Sequence, residues 1–90
     1  MTFEWDEEKD RINREKHGLA FEQAQKAFFD PHRIIPEDSK HGSDETRFFC
    51  VGFVEGLVAT VRYTMREERI RIIGAGYWRT GKRLYYEEEI

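Results

Sequence analysis

The spacing of apolar residues changes period twice along this chain. Phe3-Glu4-Trp5 alternates and predicts a short strand. Asp6 is placed as a helix N-cap, with Glu7 and Glu8 favourable in the first turn. Lys16 and His17 suit the end of that helix, and Gly18 supplies a left-handed stop. Its only aliphatic residue is Ile12, which predicts a narrow buried face. Phe21, Ala24 and Phe28 recur at spacings of three and four, the mark of a second helix running to about Phe29, where Asp30-Pro31 ends it. Residues 30–46 hold both prolines with His32, His41, Gly42 and Ser43, so a long loop is expected, with room for a short strand at Arg33–Ile35.

From Arg47 the period becomes two. Residues 47–54 are nearly continuously apolar, Glu55-Gly56 makes a tight turn, and residues 57–65 alternate cleanly. Glu67-Glu68 turns the chain into a last strand over 69–74, and residues 81–89 predict a C-terminal helix that is acidic at the wrong end for its dipole. The expected fold class is α+β: one domain spanning residues 1–90, with two N-terminal helices packed on one side of an antiparallel β-sheet and a short C-terminal helix.

Two-residue turns fix the register. Arg47 should pair with Thr64, Phe49 with Arg62 and Val51 with Thr60 across the first hairpin. Thr64 should pair with Arg71, Arg62 with Ile73 and Arg66 with Arg69 across the second. One sheet face then carries a row Arg47–Thr64–Arg71 flanked by Phe49–Arg62–Ile73. The other presents Phe48, Cys50, Leu57, Val61, Tyr63, Ile70 and Ile72 to the helices.

Charge sharpens this picture. The net charge is −3, yet residues 1–46 carry seven Lys and Arg against twelve Asp and Glu, whereas residues 47–86 carry eight against three. The strand-rich segment is therefore basic inside an acidic protein, and local potential outweighs net charge in choosing a ligand. The single cysteine, Cys50, excludes an internal disulfide framework and lies in an apolar run, as a buried hydrophobe would. Neither a signal peptide nor a membrane-length apolar stretch is visible, so a cytoplasmic protein with no membrane partner is expected. His17, His32 and His41 show no metal-ligand spacing, and no metal or other cofactor is expected; His32 and His41 read as loop residues.

Arginines facing one another across strands repel, so a chain that keeps them gains something in return. Arginine on a rigid sheet can hold phosphate through two parallel hydrogen bonds, and nearby aromatics can stack unpaired bases. A solvated polar sheet face is the plainer alternative.

The ordered set of residues resembles the BrnT family of type II toxins, which have a RelE-like ribonuclease fold. Trp5-Asp6 with Lys9 and Asn13, then Lys16-His17-Gly18 with Phe21 and Ala24, is similar to the family's opening block. Phe28-Phe29-Asp30-Pro31 matches the end of its second helix; Glu45, Arg47, Gly52, Val61, Tyr63, Thr64 and Arg66 match its middle strands; residues 70–75 match its last strand, and Tyr86-Glu87 its tail. One departure stands out: the commoner family form continues with an Ala-Arg step, whereas here Gly76 follows Ala75, so that either Arg79 or Lys82 beyond supplies the missing cation or the chain belongs to a branch with altered or weak activity. The resemblance implies a toxin that cleaves RNA, is neutralised by a ribbon–helix–helix antitoxin in a hetero-oligomer, and meets operator DNA only through that antitoxin.

RNA carries its own nucleophile, the 2′-hydroxyl, so such an enzyme needs a base, cations for the phosphorane and an acid for the leaving oxygen, without a metal. Arg47, Arg62 and Arg71 are the candidates for phosphate and transition-state binding, with Arg79 closing over them. His17 is the acid–base candidate, unless it merely caps its helix beside Gly18. Lys16, Thr64, Arg66, Tyr77 and Lys82 are the candidate RNA contacts, and Glu45 is either a base or an arginine partner. The rival reading is a non-catalytic module whose basic sheet face docks nucleic acid or an acidic partner.

Overall fold

The structure is a computed structural model and describes residues 1–38 and 46–88. His41 and Glu45 lie outside the described residues, as do residue 89 and the stretch 39–45 of the expected loop.

Strand β1 (Phe3–Trp5) leads into helix α1 (Glu7–His17). As expected, the Asp6 side chain caps α1, accepting from the amides of Glu8 (2.9 Å) and Lys9 (3.1 Å), and Gly18 ends it at φ 67°. The second helix is shorter than the periodicity predicts. Only Phe21–Ala24 (α2) is α-helical, and Gln25–Phe29 tightens into a 3₁₀ helix. Strands β2 (Glu37–Asp38), β3 (Arg47–Val54), β4 (Leu57–Arg66) and β5 (Arg69–Gly76) follow, then helix α3 (Arg79–Glu88).

The five strands form one sheet in the order β1-β5-β4-β3-β2. It is mixed rather than purely antiparallel, because β1 runs parallel to β5 and pairs Glu4 with Arg71. Both hairpin turns have two residues, and positive φ at Glu55, Gly56, Glu67 and Glu68 gives each the twist that hairpins require. The β3–β4 register is as expected, and so are the Thr64–Arg71 and Arg66–Arg69 pairs. Arg62, however, pairs with Gly74, because Ile73 is the extra residue of a bulge. That bulge decides which side chains face inward: Ala75 becomes fully buried, and Gly74 and Gly76 fall on the arginine face.

The face opposite the arginines packs on α2 and the 3₁₀ helix through Phe21, Ala24, Phe28, Cys50, Val61, Tyr63, Ile70 and Ile72. Gly52 makes this approach possible, since a Cβ there would sit 2.6 Å from the Ala27 carbonyl oxygen. Leu57, expected in this layer, is 57% exposed because it lies at the free end of the hairpin. Burial pushes the Cys50 thiol up to about 12, consistent with an inert core residue.

Polar side chains, not Ile12, attach helix α1. Ile12 is 39% exposed, whereas Asp10 and Asn13 are buried. Asp10 accepts from the amide of Phe21 (2.8 Å), which gives α2 the cap that Ala20 cannot supply. Asn13 donates to the carbonyls of Ala75 (2.9 Å) and Leu19 (2.8 Å) and accepts from the amide of Ala75 (3.2 Å). Its carboxamide thus takes the place of a strand along β5 where β1 has ended. At the other edge, Ile34 bridges Val51, and an Asp30 oxygen accepts from the amide of Phe53 (2.9 Å).

The helices do not all share one side of the sheet. Helix α3 lies on the arginine face, where Tyr85 packs with Val51 and Val58. Gly81 sits so close to β4 that a Cβ would fall 1.9 Å from Thr60 Oγ1. No helix among the described residues is long and apolar enough to cross a membrane.

Candidate functional site

Helix α3 covers the Val51–Thr60–Gly76 level of its face and borders Phe49 through Leu84, and two further levels follow along the strands. The first is Phe49–Arg62–Gly74 and the second Arg47–Thr64–Arg71. Each level is two residues on, about 6–7 Å. Three neighbouring strands therefore present Arg47, Arg62 and Arg71 on adjacent positions, all half-buried, with Gly74 leaving the floor beside Arg62 without a side chain.

Their electrostatics differ from the expectation. Arg71 donates to Glu4 at 2.9 Å, and Arg69 reaches the same carboxylate at 3.4 Å. The Arg71 hydrogen bond outweighs desolvation and holds the Glu4 carboxyl below its usual range. Glu4 was not among the residues singled out from the sequence; the signal lay in a parallel pairing that alternation alone cannot reveal. The buried Nε of Arg47 has no hydrogen-bond partner among the described residues. Thr64, expected to contact RNA, is 2% exposed and donates its hydroxyl to the Thr46 carbonyl at 2.7 Å. It spaces two arginines and does not present a surface contact. Arg66 lies at the exposed hairpin end, with Met65, Glu67 and Arg69.

His17 and Lys16 line a shallow cleft between α1 and the bulge, with Lys9, Asn13 and Ile73. The imidazole meets Trp78 edge to face, with ring centroids 5.2 Å apart. Trp78 lies against Gly76, where a Cβ would be 2.6 Å from its Cε2. The tryptophan thus stands one level from Arg62 and links His17 to the arginine face. Gly76 is thus the seat of an indole.

Arg79, Lys82 and Tyr77 do not close over the arginines. With Leu57, Trp78 and Tyr86 they line a separate cleft of about 450 Å³ beside the Glu55-Gly56 turn. Leu57 and Thr64 are seven residues apart on β4, about 23 Å. The sequence-chosen residues therefore form two groups on either side of Trp78. Trp78 itself was missed; its signal was the aromatic pair Tyr77-Trp78 between Gly76 and Arg79, immediately after the last strand. Among the described residues, no group of His, Cys, Asp and Glu is arranged to hold a metal ion.

The fold and the site define a small α+β domain with a cationic, aromatic-bordered sheet face suited to an anionic polymer. The chain belongs to the BrnT family: the family model described as the ribonuclease toxin, BrnT, of type II toxin–antitoxin systems matches residues 5–81. No curated protein matches the chain. Membership makes RNA the target class and an antitoxin the partner.

Proposed function

We propose that this chain is a metal-independent endoribonuclease whose cleaved phosphate is held on the open levels of the α3 face. The observation that carries this is the presentation of Arg47, Arg62 and Arg71 by three adjacent strands, beside the side-chain-free floor at Gly74. Arg62 occupies the central position. Glu4 orients Arg71, so this guanidinium is pre-set and its second edge is left to bind phosphate.

In the reaction, the RNA 2′-oxygen forms a bond to the adjacent phosphorus and the bond from phosphorus to the 5′-oxygen breaks. The 2′ proton passes to a base, and the 5′-oxygen takes a proton from an acid. The products are a 2′,3′-cyclic phosphate and a 5′-hydroxyl. The arginines stabilise the extra negative charge on the phosphorane oxygens. His17, fixed edge-on against Trp78, is the group assigned to proton transfer.

The partner is proposed to be a ribbon–helix–helix antitoxin that covers the basic face, with operator DNA bound only through it, and the compartment to be the cytoplasm, where RNA is met. Purified, antitoxin-free protein incubated with RNA in EDTA tests the central claim. Cleavage that leaves 5′-hydroxyl ends, lowered about 10²–10³-fold by Arg62→Ala, is expected. RNA that stays intact in EDTA with folded protein would overturn it, and cleavage that appears only with added divalent cation would overturn the metal independence.

A further inference from the structure

The cleft beyond Trp78 has no task in the cleavage step. Its walls are unusual for a surface depression: Tyr77, Trp78 and Tyr86 are each more than a third exposed, and Arg79 and Lys82 stand among them. Neither cation makes an ion pair among the described residues, whereas Arg69, Arg71 and Arg83 all do. Among the described residues, no acidic side chain lines the cleft. Glu55, in the neighbouring turn, is held by Lys26 at 2.6 Å. Exposed aromatic rings beside unpaired cations form the pattern that binds single-stranded nucleic acid, with rings for base faces and cations for the phosphates between them. A protein ligand would bury these cations against carboxylates; a nucleotide satisfies rings and cations together.

Trp78 fixes the position of this cleft relative to the arginines. The indole rests on Gly76, one level from Arg62, and forms a wall of the cleft on its other side. We infer that the cleft is a base subsite: it takes an unpaired nucleobase of single-stranded RNA next to the phosphate held at Arg62, stacked on Trp78 or Tyr86, with Arg79 and Lys82 on the following phosphate. This rests on the proposed cleavage site and adds a requirement for unpaired RNA.

The test uses a fully 2′-O-methylated RNA pentamer, which cannot be cleaved, and a hairpin in which the same bases are paired. The pentamer is expected to quench tryptophan fluorescence on binding. Trp78→Leu should weaken its affinity about ten-fold or more. Arg79→Ala with Lys82→Ala, both at exposed positions, should weaken it and make its salt dependence shallower. The hairpin should bind without quenching and without dependence on Trp78. If Trp78→Leu does not fold, the double cation variant decides alone. Unchanged pentamer affinity in the folded variants, or equal quenching by pentamer and hairpin, would overturn the inference; so would a cleft occupied by an acidic peptide in preference to the pentamer. The two readings fail separately. Wild-type cleavage with affinity indifferent to Trp78 removes only the subsite, while Trp78-dependent binding without cleavage in EDTA removes only the reaction.

Discussion

The Tyr85 hydroxyl donates a 2.7 Å hydrogen bond to Oδ2 of Asp30, joining helix α3 on one face of the sheet to the segment that leaves the helical layer on the other. The same carboxylate accepts from the amides of Phe53 and His32, both at 2.9 Å. One buried side chain thus closes the β3 edge, turns the chain after Phe29 and anchors α3. Tyr85→Phe removes one donor and leaves the other two. A loss of about 1.5–3 kcal/mol is expected, the range for hydrogen bonds to charged groups, read from urea unfolding. A change under about 0.5 kcal/mol would mean that α3 is held by packing alone.

The same site predicts the response to acid. Burial works to raise the Asp30 pKa, but hydrogen bonds from His32, Phe53 and Tyr85, with the charge of His32, leave it below its ordinary value. A carboxyl with a depressed folded pKa binds its proton more readily in the unfolded chain. Its stabilisation is therefore present above the ordinary carboxylate range and is lost as pH falls through and below it. Glu4, lowered by Arg71, acts in the same direction. The urea midpoint should fall from about pH 5 downward. Asp30→Asn should be less stable at neutral pH and show a flatter decline. An equally steep decline in that variant would assign the acid sensitivity elsewhere.

These two residues also show how far the sequence could be read. Asp30-Pro31 was legible as a helix stop, and the capped first helix, the two hairpins and most of their register followed from local rules that pattern and turn chemistry obey. What escaped depended on contacts distant in sequence. The bulge at Ile73 shows in the alternation only as the Ile72-Ile73 doublet, which does not by itself reveal a register shift, yet it moves Gly74 and Gly76 onto the arginine face. Burial of Asp10 and Asn13 in a helix that looks wholly polar follows from unpaired backbone groups elsewhere in the fold. In the candidate site, the arginine row was legible because it follows register. Its partner Glu4 and the tryptophan beside it were not, because a parallel strand pairing and a seat without a Cβ are tertiary facts.

The Glu67-Glu68 turn can be improved. Both residues have positive φ, 49° and 67°, a region that costs an L-residue other than glycine, asparagine or aspartate about 1 kcal/mol or more. Neither side chain is buried, so the conformation is imposed by the register of β4 and β5. Replacing the pair with Asn-Gly should raise stability by about 1 kcal/mol, which corresponds to about 4–8 °C in Tm for a domain of this size. Removing two acids beside Arg66 and Arg69 should also make that hairpin end more basic. An unchanged or lower Tm in thermal unfolding would show that one of the glutamates makes a compensating contact.

Gly76 and Trp78 give the most direct check on the site as built. A Cβ at position 76 would lie 2.6–2.7 Å from two carbons of the indole, closer than real contacts allow, and Trp78 is 39% exposed and so has room to leave. Gly76→Ala should therefore move the indole and leave the sheet in place. Stability should change little, because a glycine on a strand carries its own entropic cost. In NMR spectra the indole NH of Trp78 should shift, together with the ring protons of His17, while the indole NH of Trp5, which packs on Phe21, should not. Gly76→Arg should displace Trp78 completely. It places a fourth arginine one level from Arg62 while removing the stacking wall of the neighbouring cleft. That variant should lose the quench on binding the methylated pentamer, and its cleavage of RNA should fall because His17 is no longer held edge-on by the indole. Retention of that quench would show that Trp78 does not depend on its seat at Gly76.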